Sequence, residues 1–489
     1  MTTDQTTYDV LIIGAGISGI NTAYRLQQSL PDATYAIVDG RNNWGGTWDL
    51  FKFPGIRSDS DLFTFGFSWE PWTARSPIAT GESIQTYLRH CISKHGIDKH
   101  AIFQHHVIAA DWSSETQLWR LETEHNGQKK YLYARHVVLG TGYYDYEDPL
   151  AAKIPGLENF KGDVLHPQFW PEGFDYSGKK VVIIGSGATA ITIVPAMAEK
   201  ASKVTMLQRS PSYVLPVPIP KEASFVEKWA PTSIARMIVR FQHIFGLYLV
   251  FFIPRWFPNW SRKFINDVNK SELKGSSVSV DPHFIPKYKP WDQRVCYSPD
   301  GDFWAAFRSG KADVATGVIK TITGSSILLE SGQELDADII VTATGLRMRI
   351  GGGIKISVDG APIINREKFL WRYMMVQDVP NMYAIVGYTA FSWTLGADAT
   401  GILMMRLLKY LKKNGYSSAT PRCSNPNQKQ SPIMSTLNST YVTAAASSGV
   451  LFKTGTEGPW HNRVHYLQDL WRAYFSSITA DMEFTKVST

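Results

Sequence analysis

At 489 residues the chain is too long for one hydrophobic core, and two or three domains are expected. A hydrophobic fraction of 44% and a formal charge of +7 suit an ordinary globular protein whose mild positive field favours anionic cofactors. Lys and Arg are scattered, without the basic and aromatic interleaving of a nucleic-acid binder, so no nucleic acid is expected as a partner.

Cys91, Cys296 and Cys423 are too few and too far apart for a disulfide framework or a Cys-x-x-Cys pair, and point to a reducing, cytoplasmic compartment. The opening MTTDQTTYDV lacks the basic region and apolar run of a secretory signal. The histidines have no metal-ligand spacing, and no G-x-S-x-G elbow joins a strand to a helix, so neither a metal site nor a serine nucleophile is expected.

The first informative segment is YDVLIIGAGISGINTAYRL, a short β-branched run followed by Gly14, Gly16 and Gly19 in G-x-G-x-x-G register and then a helical pattern. Strand, glycine turn and helix together hold a pyrophosphate at a helix N-terminus, where free N–H groups and the dipole favour the anion. The next apolar run, YAIV, ends at Asp39, placed to accept hydrogen bonds from a ribose diol. NNWGGTW follows at once and offers Gly46, Thr47 and Trp48 where backbone must approach a cofactor. HVVLGTGYY (136–144) reads as a strand ending in Thr-Gly that carries the chain out of this fold.

FKGDVLHPQFWP (160–171) comes next, a connector with no packing period, and then KKVVIIGSGATAITIVPAMA repeats the first architecture. Gly185 and Gly187 are its first two glycines, and Ala190 takes the third place, which serves only close helix packing. Its following strand ends in Gln208, Arg209 and Ser210, with Gln208 where Asp39 falls in the first unit. No carboxylate repels a 2′-phosphate there, and Arg209 can pair with one. Opposite ribose chemistry in the two units implies FAD in the first and NADPH in the second.

Between the two halves of the second unit, His243 to Pro254 is strongly apolar but about half the roughly 20 residues a bilayer crossing needs. Arg240, Gln242, Arg255, Pro254 and Pro258 close it off, so a buried helix of an inserted domain is expected rather than a span, with weak membrane-surface association as the alternative. ADIIVTATGL (337–346) is a second strand ending in Thr-Gly and marks the return crossing. The fold class is therefore α/β, with two dinucleotide-binding, Rossmann-like domains and a mostly helical insert. Residues 1–148 and 346–489 are expected in the FAD domain, 149–215 and 290–345 in the NADP domain, and 216–289 in the insert.

The connector's F-x-G-x-x-x-H-x-x-x-W-P, matched at Phe160, Gly162, His166, Trp170 and Pro171, resembles the fingerprint of type I Baeyer–Villiger monooxygenases, class B flavoproteins. Flavin-containing heteroatom monooxygenases share a similar motif that generally lacks the Trp-Pro ending. GGTWDLFKFPGIRSDSDLFTFGF (45–67), PWDQR (290–294) and PNMY (380–383) extend the likeness along nearly the whole chain, closest to the ethionamide-activating subgroup.

The resemblance implies that NADPH reduces FAD and that oxygen adds as a flavin C4a-peroxide. The peroxide then attacks a ketone to give an ester or lactone, and sulfides are oxidised as well. It assigns His166 to coupling domain movement with turnover. It gives Arg294 the cationic role beside the reacting oxygen, with Asp59 as its partner. Arginine suits that role because it stays protonated at any relevant pH. Trp460 resembles a family Trp near the nicotinamide, although Arg463 and His465 depart from the pattern, as does Gln293 where many relatives have Lys. Arg57 is open between reaching the cofactor and bracing its loop. An NADPH oxidase that merely releases peroxide would need no Arg294.

Overall fold

The computed structural model describes residues 6–150, 152–435 and 439–486. Met1–Gln5, on which the reading of the leader partly rests, lie outside the described residues.

Thr7–Ile13 alternates little because both its faces are covered, as in a central parallel strand. It pairs in parallel with Tyr35–Val38 on one side and with the long Gln128–Leu139 strand on the other. His106–Ser113 and Leu118–His125 continue from Gln128–Leu139 as an antiparallel meander. Lys355–Val358 and Met382–Ala384, from beyond the second unit, join this same sheet. Trp393–Asn414, a helix buried along most of its length, packs on the Ile17–Ser29 helix.

The second unit is a five-stranded, wholly parallel sheet ordered Ala312–Thr316, Lys203–Gln208, Lys180–Ile184, Ile339–Thr342 and Asp163–Leu165. The chain leaves the first sheet just before Gly142 and returns to it just after Gly345, both at positive φ. The two folds share buried apolar side chains: Phe51 and Phe53 of the first lie in one cluster with Leu165, Ile191 and Val194 of the second.

Insertion occurs on a small ribbon. Val214–Val217, which crosses the expected limit at 215, pairs in parallel with Cys296–Pro299, just past that at 290, and helices Phe225–Trp229, Thr232–Trp256 and Pro258–Glu272 lie between.

The apolar stretch corrects the sequence-based expectation twice. Its helix runs 25 residues, from Thr232 to Trp256, and only Ala235, Val239, Ile244 and Phe251 of it are buried. Arg240 does not end the helix, because its guanidinium donates to the Phe63 and Gly66 carbonyls, each at 2.8 Å. Pro254 sits inside the helix and cannot bond to the carbonyl four residues back. That carbonyl, Val250, accepts the Trp291 indole N–H at 2.6 Å instead.

Candidate active site

Both glycine turns form as their spacing requires. A Cβ on Gly14 would stand 2.5 Å from the Gly140 carbonyl oxygen, and one on Gly19 would stand 2.0 Å from that of Gly14. Gly14 N–H donates to Val38 O and Gly185 N–H to Leu207 O, both at 2.8 Å. This shared register makes Gln208 the structural counterpart of Asp39.

The two counterparts diverge in what they do. The Asp39 carboxylate accepts the Ala15 and Arg41 amides at 2.7 and 2.8 Å, and burial raises its pKa against those bonds. Gln208 turns inward, donating to His283 O and Thr316 Oγ1, and so is a core residue rather than a ribose contact. Arg209 and Ser210 remain exposed beside the second turn, and no atom lies within 4 Å of where a Cβ on Gly187 would stand. Ala190 is fully buried, as its helix-packing role demands.

These groups fit dinucleotides. Gly46 faces Gly16 so closely that a Cβ on either would enter the space between them, at 3.2 and 3.6 Å from the other's Cα. Thr47 Oγ1 bonds Tyr146 OH at 3.0 Å, and Trp48 packs edge-on to Phe65, fixing the loop over the turn. Behind it the buried Gln85 amide has no protein partner at either atom. Asp39, the Gly14 turn and the Gly46 loop would hold FAD; Arg209 and the Gly185 turn would hold the second nucleotide.

Arg294 and Asp59 meet at 3.2 Å, each side chain about one-third exposed (31% and 32%). The carboxylate raises the guanidinium pKa further and burial opposes it, so the charge is permanent. Tyr143, Tyr144 and Tyr441 lie within electrostatic reach of this cation, and burial pushes the first two phenols up. Tyr143 stacks on Trp393 at 4.8 Å, and Trp393 Nε1 donates to Ser18 Oγ at 2.9 Å, in the helix that follows the first glycine turn. This pair of contacts ties Tyr143 to the first nucleotide fold. Cys296, two residues on, is buried and its thiol is pushed up to about 12, so it stays protonated.

A cavity of about 210 Å³ is walled by Phe251, Phe252, Tyr388, Phe391 and Met434, with Arg255 at its edge. Phe251 touches both Trp291, three residues before Arg294, and Phe391, two before Trp393, with ring centroids 5.6 and 4.9 Å apart. Phe251, Phe252 and Arg255 belong to the apolar stretch read from the sequence, whereas Tyr388, Phe391 and Met434 were not singled out there.

The fingerprint has a structural explanation. A Cβ on Gly162 would stand 2.2 Å from Asp338 O, which is the strand-edge approach that admits Asp163–Leu165 to the second sheet. Phe160 packs on the second fold's core and Trp170 sits in the cluster shared by both folds. His166 caps a short turn, its Nδ1 accepting Gln168 N–H at 3.2 Å. Its buried Nε2 has no partner and burial lowers its pKa, so a neutral imidazole is held at the junction. Gln168 in turn donates to Asp145 O at 2.7 Å, tying the connector to the crossing strand's exit loop.

Two further residues are resolved by contact. Arg57 pairs with Asp302 across the two folds, so it braces the loop. Trp460 corrects the sequence reading: it is 1% exposed in the first core, its indole N–H donating to Asp481 at 2.7 Å, so it presents no surface to a nucleotide. Arg463, read as a departure, is buried against Asp469 at 3.1 Å and donates to Thr400, which accounts for a cation at that position. Among the described residues no cluster has metal-ligating composition.

Residues 76–351 match the flavin-binding monooxygenase-like family, and residues 12–75 match an NAD(P)-binding Rossmann-like domain that covers the first glycine turn. The chain is 41% identical to the FAD-containing monooxygenase EthA of Mycolicibacterium smegmatis, over 98% of this chain and 97% of that one. It is 43% identical to the probable FAD-binding monooxygenase AlmA of Acinetobacter baylyi, over 94% and 92%. In fold it is similar to OTEMO in complex with FAD and NADP (TM-score 0.74, 19% identity, 98% and 99% covered). The polycyclic ketone monooxygenase of Thermothelomyces thermophila is also similar (TM-score 0.75, 17% identity, 100% and 91% covered). Two nucleotide folds facing a fixed cation, with relatives alike over nearly their full length, place this chain in the flavin-binding monooxygenase-like family, as a flavin-dependent monooxygenase.

Proposed function

We propose that the enzyme is a Baeyer–Villiger monooxygenase, with FAD in the first fold and NADPH in the second, that converts ketones to esters or lactones and also oxidises sulfides. The observation that carries this reading is the Asp59–Arg294 pair, with Tyr143 in its electrostatic field and stacked on Trp393, which bonds the helix after the first glycine turn. FAD, when bound and reduced, supplies the activation of O2. Arg294 offers a charge that never titrates where negative charge develops on oxygen, and donors fixed in advance cost no reorganisation at the moment of reaction. Asp59 holds that guanidinium in place while leaving about a third of it open to the cleft.

Tyr143 and Tyr144 bond each other at 2.7 Å and stay neutral, so they exclude water without adding a competing anion. Arg209 would take the 2′-phosphate, with Ser210 beside it. His166, neutral and half-buried where the folds meet, would change partners as the second fold shifts. Relatives whose names include cyclohexanone, steroid and polycyclic ketone monooxygenase support a ketone substrate. Cys91, Cys296 and Cys423 are all free thiols, which supports a cytoplasmic setting.

The test is aerobic turnover of the FAD-loaded enzyme with NADPH, a linear ketone and an aryl methyl sulfide under isotopically labelled oxygen gas, with products read by mass spectrometry. Labelled ester is expected. Labelled sulfoxide without ester would favour a heteroatom oxygenase, and hydrogen peroxide alone an oxidase.

A further inference from the structure

The Thr232–Trp256 helix is amphipathic in an unusual sense. One side buries Ala235, Val239, Ile244 and Phe251 against the protein, while Met237, Phe241, Phe245 and Leu249 project at four-residue spacing from the other, 43% to 66% exposed. Adjoining helices add Trp229, Trp260 and Trp471, at 60% to 77% exposure. Scattered exposed apolar residues are ordinary, but a stripe of this extent marks a contact surface.

Four bonds keep the helix from crossing a bilayer. Arg240 is anchored on the Phe63 and Gly66 carbonyls, His243 pairs with Asp61 at 3.1 Å, and Trp291 donates to Val250 O. A span would break all of them; a helix lying flat would break none.

Charge selects the occupant. Between residues 221 and 264 seven Lys and Arg stand against two Glu, and the Thr232–Trp256 helix carries no acid. Both acids are engaged: Glu222 with Lys228 at 3.2 Å, and Glu227 in a capping box with Ser224. A second copy would set two cationic faces against each other, whereas anionic headgroups neutralise this face while the aromatic stripe enters the acyl boundary.

We propose that this face docks the enzyme on the surface of an anionic lipid bilayer, with the Thr232–Trp256 helix in the interfacial plane. Val464 and Arg255, which line the cavity, are both exposed on this side, so an apolar substrate dissolved in lipid would reach the cavity without crossing water. That delivery route rests on the proposed reaction; the docking does not.

The full-length, FAD-loaded enzyme is floated with vesicles of phosphatidylcholine, alone or mixed with phosphatidylglycerol. It is expected to float with the mixed vesicles about tenfold or more better than with the neutral ones, and raised salt should reduce the difference. The double variant F241S/F245S should lose about tenfold or more of that binding, with its flavin absorbance and melting temperature retained. Should that variant lose its flavin, W471S provides the same comparison from another helix. Wild type that stays at the bottom with both vesicles, or variants that float as well as wild type, would overturn the proposal. So would a wild-type dimer in sedimentation that F241S/F245S abolishes without any flotation, since the face would then belong to a second copy.

Discussion

Removing the carboxylate opposite Arg294 is the most direct perturbation of the site. Across 3.2 Å the Asp59–Arg294 attraction is about 5 kcal/mol at an effective dielectric of about 20, and about 1 kcal/mol in bulk water. With both side chains about one-third exposed the pair lies between these limits, and desolvation takes back part of the gain, leaving a coupling of about 2 kcal/mol. If the pair aims the guanidinium at the reacting oxygen, Asp59→Ala should lower ester formation about 30-fold, the rate equivalent of that energy. Anaerobic reduction of the flavin by NADPH, which does not need the aimed cation, should keep its wild-type rate in a stopped-flow trace. Asp59→Asn preserves shape and removes charge, so it should fall within a few-fold of the Ala variant. Wild-type ester formation in Asp59→Asn would refute the electrostatic argument, and an equal loss in flavin reduction would show the defect to be in cofactor binding.

Arg209→Ala should raise KM for NADPH about 10- to 100-fold while leaving KM for NADH nearly unchanged, because a charge-assisted bond to phosphate is worth about 1.5–3 kcal/mol; an equal rise for both would remove the phosphate contact. Trp460→Phe should cost about 2 kcal/mol in urea denaturation by removing the indole's bond to the Asp481 carboxylate, with KM for NADPH unchanged. A selective rise in that KM would restore Trp460 to the nucleotide site. His136, pushed down from 6.5 to about 4 by burial, refuses a proton that the unfolded chain accepts. Stability should therefore fall as pH drops through that window, and the melting temperature of His136→Gln should fall less steeply there. Identical slopes would acquit His136.

The two glycine turns, the acid of the first unit, its neutral replacement in the second and the helical character of the insert were all legible from local pattern, because each depends on backbone geometry over a few residues. The fingerprint was legible as a motif. Its reasons were not, since Gly162 is required by Asp338 and Trp170 by Phe51 and Phe53, partners more than a hundred residues away. The same limit explains the errors. Trp460 stands at a plausible position in the sequence, but which way a side chain turns is decided by the core around it. Apolar composition alone suggested a buried helix, whereas exposure depends on which faces the rest of the fold covers. The sequence by itself determined the two nucleotide folds and the residue types of the chemistry. The Asp59–Arg294 pairing was reached only through the family resemblance, and the cavity wall only through tertiary structure, because both join segments that no local period connects.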